Sequence, residues 1–98
     1  MNRDRVLTEL RSCLSEIRAH GVRALYLFGS TARDVARQDS DVDIFIEAEQ
    51  ADQFNAFDLI EVKTIVEGRL DAHVDLTTRD GLHPRLREQI EREAIRVF

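Results

Sequence analysis

The chain has 98 residues, of which 43% are apolar and 34% charged, and its formal net charge at pH 7 is −5. That size suits one domain over residues 1–98, and the apolar share supports a modest core, which excludes a disordered tail. The acidic balance argues against direct nucleic-acid binding, whose footprint is basic. The longest apolar run, residues 24–28, falls far short of the ~20 residues of a membrane span. The opening MNRDRVLTEL is charged where a signal peptide is apolar, and the single Cys13 excludes an internal disulfide. A cytoplasmic protein is the expectation. Lys63 is the only lysine among 14 Lys and Arg residues. So strong an arginine bias suits recognition of phosphate or carboxylate, and is equally what a GC-rich genome yields.

Residues 3–20 carry Val6, Leu7, Leu10, Cys13, Leu14 and Ile17 at the spacing of one helix face, with Gly21 as the stop. Cys13 is thereby read as a core-facing thiol. Residues 22–28 are short and apolar, end at Gly29, and predict a buried strand. A short helix is expected over residues 31–36, with Ser30 as its N-cap. Residues 41–47 read as a second strand and residues 52–68 as a helix, with Phe57, Ile60, Ile65 and Val66 on its apolar positions. Residues 73–77 predict a third strand, bounded by Thr78-Arg79-Asp80-Gly81. Pro84 then suits a helix's first turn, and Leu86, Ile90 and Ala94 continue at four-residue spacing. Residues 94–98 either finish that helix or form a short edge strand. The order α-β-α-β-α-β-α is that of an α/β domain with one sheet.

Three groups of residues suggest chemistry. A strand that ends in Gly29-Ser30 and feeds a helix presents backbone N–H groups, a hydroxyl and a helix dipole to a phosphate. Arg33, in the first turn, is unfavourable for the dipole alone and makes sense beside an anion. Read singly, the same residues make an ordinary capped helix start. Asp41 and Asp43, two apart on a strand, share a face at about 6–7 Å. They repel unless a cation lies between them, and Mg²⁺ prefers such oxygens. A polar strand start explains them equally well in isolation. Asp39, Asp41 and Asp43 also mimic alternate ligands of an EF-hand loop. Ile44 stands where that loop needs Gly and Gln50 where it needs Glu, so that reading is excluded. Asp75 lies within an apolar strand; if that strand pairs with residues 41–47, it faces the same ion, and otherwise it is a strand-end turn residue. Three carboxylates suit a two-Mg²⁺ phosphoryl-transfer site.

Gly-Ser, ten residues, Asp-x-Asp, then a lone Asp in an apolar strand together resemble the nucleotidyltransferase superfamily that includes DNA polymerase beta. Across residues 3–98 the chain is similar to its minimal nucleotidyltransferase group. One departure is Asp34, where many relatives carry Gly after the Ala-Arg pair, which puts the turn of the short helix in question. The resemblance implies a small mixed sheet flanked by helices, two Mg²⁺ ions and ATP as substrate. It implies that Asp41 and Asp43 hold both ions and that Asp75 binds the catalytic ion and helps deprotonate the acceptor. Gly29 and Ser30 would hold the β- and γ-phosphates, with Arg33 a weaker candidate.

Minimal nucleotidyltransferases are paired with a HEPN-type ribonuclease toxin, and some silence it by attaching AMP to a tyrosine. The resemblance therefore implies an antitoxin that AMPylates such a partner. The alternative is a non-catalytic antitoxin that masks the toxin stoichiometrically; an enzyme acting on a small-molecule hydroxyl is disfavoured by the lack of an acceptor domain. Homo- and hetero-oligomers both remain open. His20, His73 and His83 lack metal-ligand spacing and read as surface or capping residues, and Tyr26 offers a buried hydroxyl donor.

Overall fold

The computed structural model describes residues 2–37 and 39–98. Its elements follow the expected alternation: α1 (Arg3–Ser12), α2 (Leu14–Ala19), β1 (Val22–Phe28), α3 (Gly29–Ala32), β2 (Val42–Ala48), α4 (Ala56–Leu70), β3 (Val74–Thr78), α5 (Pro84–Glu93) and β4 (Ile95–Arg96). Short 3₁₀ turns at Ala51–Gln53 and Arg79–Gly81 join α4 and α5 to the strands before them.

The strands form one mixed sheet in the order β3-β2-β1-β4. β1 runs antiparallel to β2 and β4, and β2 runs parallel to β3. Side chains on successive strand residues face opposite sides. Val22, Leu25 and Leu27 of β1, Val42, Ile44 and Ile46 of β2, and Val74 and Leu76 of β3 accordingly pack as one core. That core also takes Val6, Leu10, Cys13, Ile17, Val62, Val66 and Leu70 from α1, α2 and α4 and the bend between the first two. The other sheet face carries Tyr26, Phe28, Asp43, Phe45, Glu47, Asp75 and Thr77.

Local chemistry accounts for most boundaries, and corrects several expected ones. The first helical stretch breaks at Cys13 (φ −108°, ψ 19°), whose N–H turns to the Leu10 and Arg11 carbonyls. The Cys13 thiol donates to the Leu10 carbonyl at 3.3 Å and is buried, as expected; burial also raises its pKa, which keeps it an unreactive thiol. α4 starts later than residue 52, because Asn55 caps it: its side chain accepts from Phe57 and Asp58 N–H while Asp58 accepts from Asn55 N–H. Such a reciprocal cap stabilises a helix by about 1 kcal/mol. Gly68 lies inside α4, and Asp71 (φ 52°) ends it. Phe57 and Ile60, expected among its apolar positions, are exposed, and Val62, Val66 and Leu70 are the buried ones. Pro84 begins α5 with His83 as its cap. Residues 94–98 resolve toward the sheet, where Ile95 pairs with Leu27. No helix among the described residues is long and apolar enough to cross a membrane.

Candidate active site

β2 and β3 run in register with Asp43 opposite Asp75, so both carboxylates leave the same sheet face on neighbouring strands. Asp41 immediately precedes β2 and is exposed, as is Asp75, whereas Asp43 is half-buried. Among the described residues, no cation forms an ion pair with any of the three. Burial first, then the Asp75 and Asp41 carboxylates, push the Asp43 pKa upward, and the Arg33 guanidinium pulls it down. Asp43 and Asp75 are thus brought together on one face, with Asp41 near enough to act on Asp43. No three such side chains among the described residues converge on a single metal position.

β1 ends opposite Asp43, through the Phe28–Asp43 pair, and delivers Gly29 against it. Gly29 has φ +73°, and a Cβ added there would meet the Asp43 carboxylate carbon at 3.1 Å and collide with its oxygen. Two independent constraints therefore require glycine: a left-handed backbone and the approach of a carboxylate. The helix expected over residues 31–36 is a single turn, α3, and its N-cap position is Phe28 instead of Ser30. Ser30 sits inside the turn, and its carbonyl accepts the Val35 N–H at 2.9 Å. The chain then leaves through Asp34 at φ 59°. That left-handed residue explains the departure from Gly: Asp tolerates this region better than most side chains. Its carboxylate also accepts the Arg3 N–H at 3.1 Å, which ties the exit of the turn to α1.

Arg33 lies within electrostatic reach of Asp43, but its guanidinium pairs with Glu93 of α5 at 3.2 Å. Sequence reading missed that pairing, along with two others. Arg79 lies over the rings of Tyr26 and Phe45 (4.9 and 5.3 Å) and pairs with Glu47 at 2.7 Å and Glu91 at 3.3 Å, joining α5 to the open sheet face. Its Nε is buried without a partner. The Tyr26 hydroxyl donates to Glu47 at 3.3 Å, so the expected donor has its acceptor, although the ring is only half-buried. Lys63 of α4 lines a concavity with Asp41 and Asp75. His83 caps α5 and His73 is exposed, both as expected.

A nucleotidyltransferase-domain model matches residues 7–97. The chain belongs to that family. The protein adenylyltransferase MntA of Thermococcus cleftensis is 34% identical over 96 residues, which span 93% of this chain and 95% of the relative. A solved structure called a minimal nucleotidyltransferase superposes with a TM-score of 0.83 at 38% identity, covering 97% of this chain and 95% of that one. The complex of a tri-AMPylated Shewanella oneidensis HEPN toxin with its MNT antitoxin superposes at 0.63 and 22% identity, over 90% of this chain and 68% of that one. That last likeness speaks to fold alone. The four-stranded mixed sheet with its helices is therefore the minimal nucleotidyltransferase fold.

Proposed function

We propose that this nucleotidyltransferase transfers AMP from ATP to a tyrosine hydroxyl of a HEPN-type toxin and so neutralises it. The reading is carried by one observation: Asp43 and Asp75 pair in register on one face, beside a glycine required by both its left-handed backbone and the approach of the Asp43 carboxylate. The whole-length likeness to a protein adenylyltransferase supports the choice of AMP and of a protein acceptor.

Asp41, Asp43 and Asp75 would hold two Mg²⁺ ions. The donor set suits a hard cation, since it offers only carboxylate oxygens and lacks an ion-paired cation among the described residues. Substrate phosphates would complete the oxygen shell of each ion. Bound Mg²⁺ supplies neutralisation of the α-phosphoryl oxygens and the departing pyrophosphate. The chain's own residues do the rest. Gly29 lets the triphosphate approach the backbone, Ser30 offers its N–H and hydroxyl to the β- and γ-phosphates, and Arg33 adds positive charge. Asp75, exposed on the outer strand, takes the proton as the acceptor oxygen bonds to the α-phosphorus and the bond to the bridging oxygen breaks. Positioning and electrostatic stabilisation are the main contributions.

Masking without catalysis is the second reading, favoured by exposed Phe57 (77%) and Ile60 (58%), which offer a partner an apolar contact on α4. Intact-mass spectrometry of the co-expressed partner with Mg-ATP separates the two. AMP steps that vanish in Asp41→Asn/Asp43→Asn, together with lost neutralisation, support transfer. An unmodified partner neutralised by both forms refutes it.

A further inference from the structure

The ion pairs of the fold use only part of the chain's arginine excess. Arg5 of α1 and Arg37, between α3 and β2, are exposed and form no ion pair among the described residues. Both line one concavity of about 280 Å³, together with Thr31, Ser40, Val42 and Asp71. Val42 belongs to the core, so the concavity opens on the helix-covered side of the sheet, away from the face that carries Asp43 and Asp75. Thr31 is 2% exposed and is the only buried polar residue among the described ones. The Ser40 Oγ accepts the Arg37 N–H at 3.0 Å, which leaves its own proton to donate. Asp71 is the only carboxylate of the lining among the described residues. Two guanidiniums against one carboxylate make this a positive spot on a chain whose net charge is −5.

We propose that this concavity binds a phosphate group, as an anion site separate from the one that would hold the triphosphate. Its volume falls just below the ~300–1,000 Å³ of pockets for drug-sized ligands, which suits a small anion. Arginine forks match phosphate oxygens in pairs, and the bonds are charge-assisted. Phosphate is favoured over a carboxylate because its oxygens can serve two guanidiniums and two hydroxyls at once. Free inorganic phosphate and the monoester of a nucleotide share that chemistry. The occupant would lie one residue from each half of the active site, since Thr31 follows Ser30 and Ser40 precedes Asp41. Gripped by both guanidiniums, it would tie α1 to the segment that leads into Asp41 and stabilise the folded chain by linkage. None of this depends on whether AMP is transferred.

The probes are inorganic phosphate and, separately, AMP, titrated by NMR into the full chain at constant ionic strength without Mg²⁺. Saturating shifts of the Arg5, Thr31, Arg37 and Ser40 amides are expected, with Kd below ~10 mM. Arg5→Gln/Arg37→Gln should weaken binding at least about tenfold. Both positions are exposed, so the double variant should fold; Thr31→Val, with both arginines intact, should weaken binding about two- to fivefold. Arg85→Gln removes the same charge from an exposed position on α5 outside the lining, and should leave the affinity unchanged. Phosphate should also raise the Tm of wild type and not that of the double variant. Binding of phosphate without AMP identifies the free ion as occupant, and AMP shifting the same four amides identifies a monoester; either supports the site. Shifts that never saturate, shifts confined to residues 29, 30 and 33, or equal affinity in the double variant would overturn it.

Discussion

At the scale of single residues, Asp43 and Gly29 carry opposite constraints. Asp43 is held half-buried near two other carboxylates, so its folded pKa stands above its unfolded value. The folded state then binds that proton more tightly than the unfolded one. Its ionised form destabilises the fold above the raised pKa, and that cost disappears as the pH drops below the ordinary carboxylate range. Asp43→Asn should therefore raise Tm at pH 7 by ~2–5 °C, with the gain fading in acid, while transfer is abolished. Mg²⁺ should raise the wild-type Tm and leave the variant unmoved; thermal melts across pH, with and without Mg²⁺, check both statements. Gly29→Ala works the other way. It pushes a side chain into Asp43 at a left-handed backbone position, so Tm should fall by at least ~5 °C and AMP transfer with it. A Gly29→Ala protein with wild-type stability and rate would refute the close approach on which the site is built.

Elements matter through α3 and α5. A one-turn helix has too few residues for hydrophobic periodicity, and its exit depends on φ values at Asp34 that composition does not reveal. That is why both its ends were misplaced in the sequence, although Gly29 was read correctly as the residue that closes β1. The start of α4 was legible in principle, since Asn55 and Asp58 stand at capping-box spacing. α5 carries the Arg33–Glu93 pair, which competes with any phosphate for the same guanidinium. Glu93→Gln should bind Mg-ATP about two- to fivefold more tightly, with Tm changed by less than ~2 °C because the pair is exposed. Calorimetric titration is the measurement. Unchanged affinity in Glu93→Gln, with loss in Arg33→Ala, would mean that the pair does not restrain the arginine.

Over the whole molecule, stability is uneven. α1, α2 and α4 share one core with the sheet, whereas α5 has no fully buried residue and Leu86 is 51% exposed. Leu86 and Ile90 follow helical spacing, yet the sheet face near them is covered by Arg79 and the aromatic rings instead. The Arg79–Glu91 and Arg33–Glu93 pairs tie α5 to the rest of the molecule, and partly exposed pairs contribute ~0–1 kcal/mol each. Amide exchange should therefore be at least about tenfold faster in α5 than in the middle of α4, and faster still in high salt. Equal protection in the two helices would show that α5 belongs to the same cooperative unit.

The sequence by itself determined the alternation of elements, the buried strands and the identities of Asp41, Asp43, Asp75, Gly29 and Ser30 as candidates. Strands rich in Val, Ile and Leu carry their own signal, glycine marks both ends of β1, and the spacing of Gly-Ser and Asp-x-Asp is local. Tertiary structure alone decided that Asp75 stands opposite Asp43, because parallel pairing joins strands distant in the chain. It also decided that Gly29 must make room for a carboxylate, that Arg33 answers to Glu93, and that Lys63 opens onto the β3 side of the site. Each of these is a contact between residues far apart in sequence, and periodicity and spacing report only on neighbours along the chain.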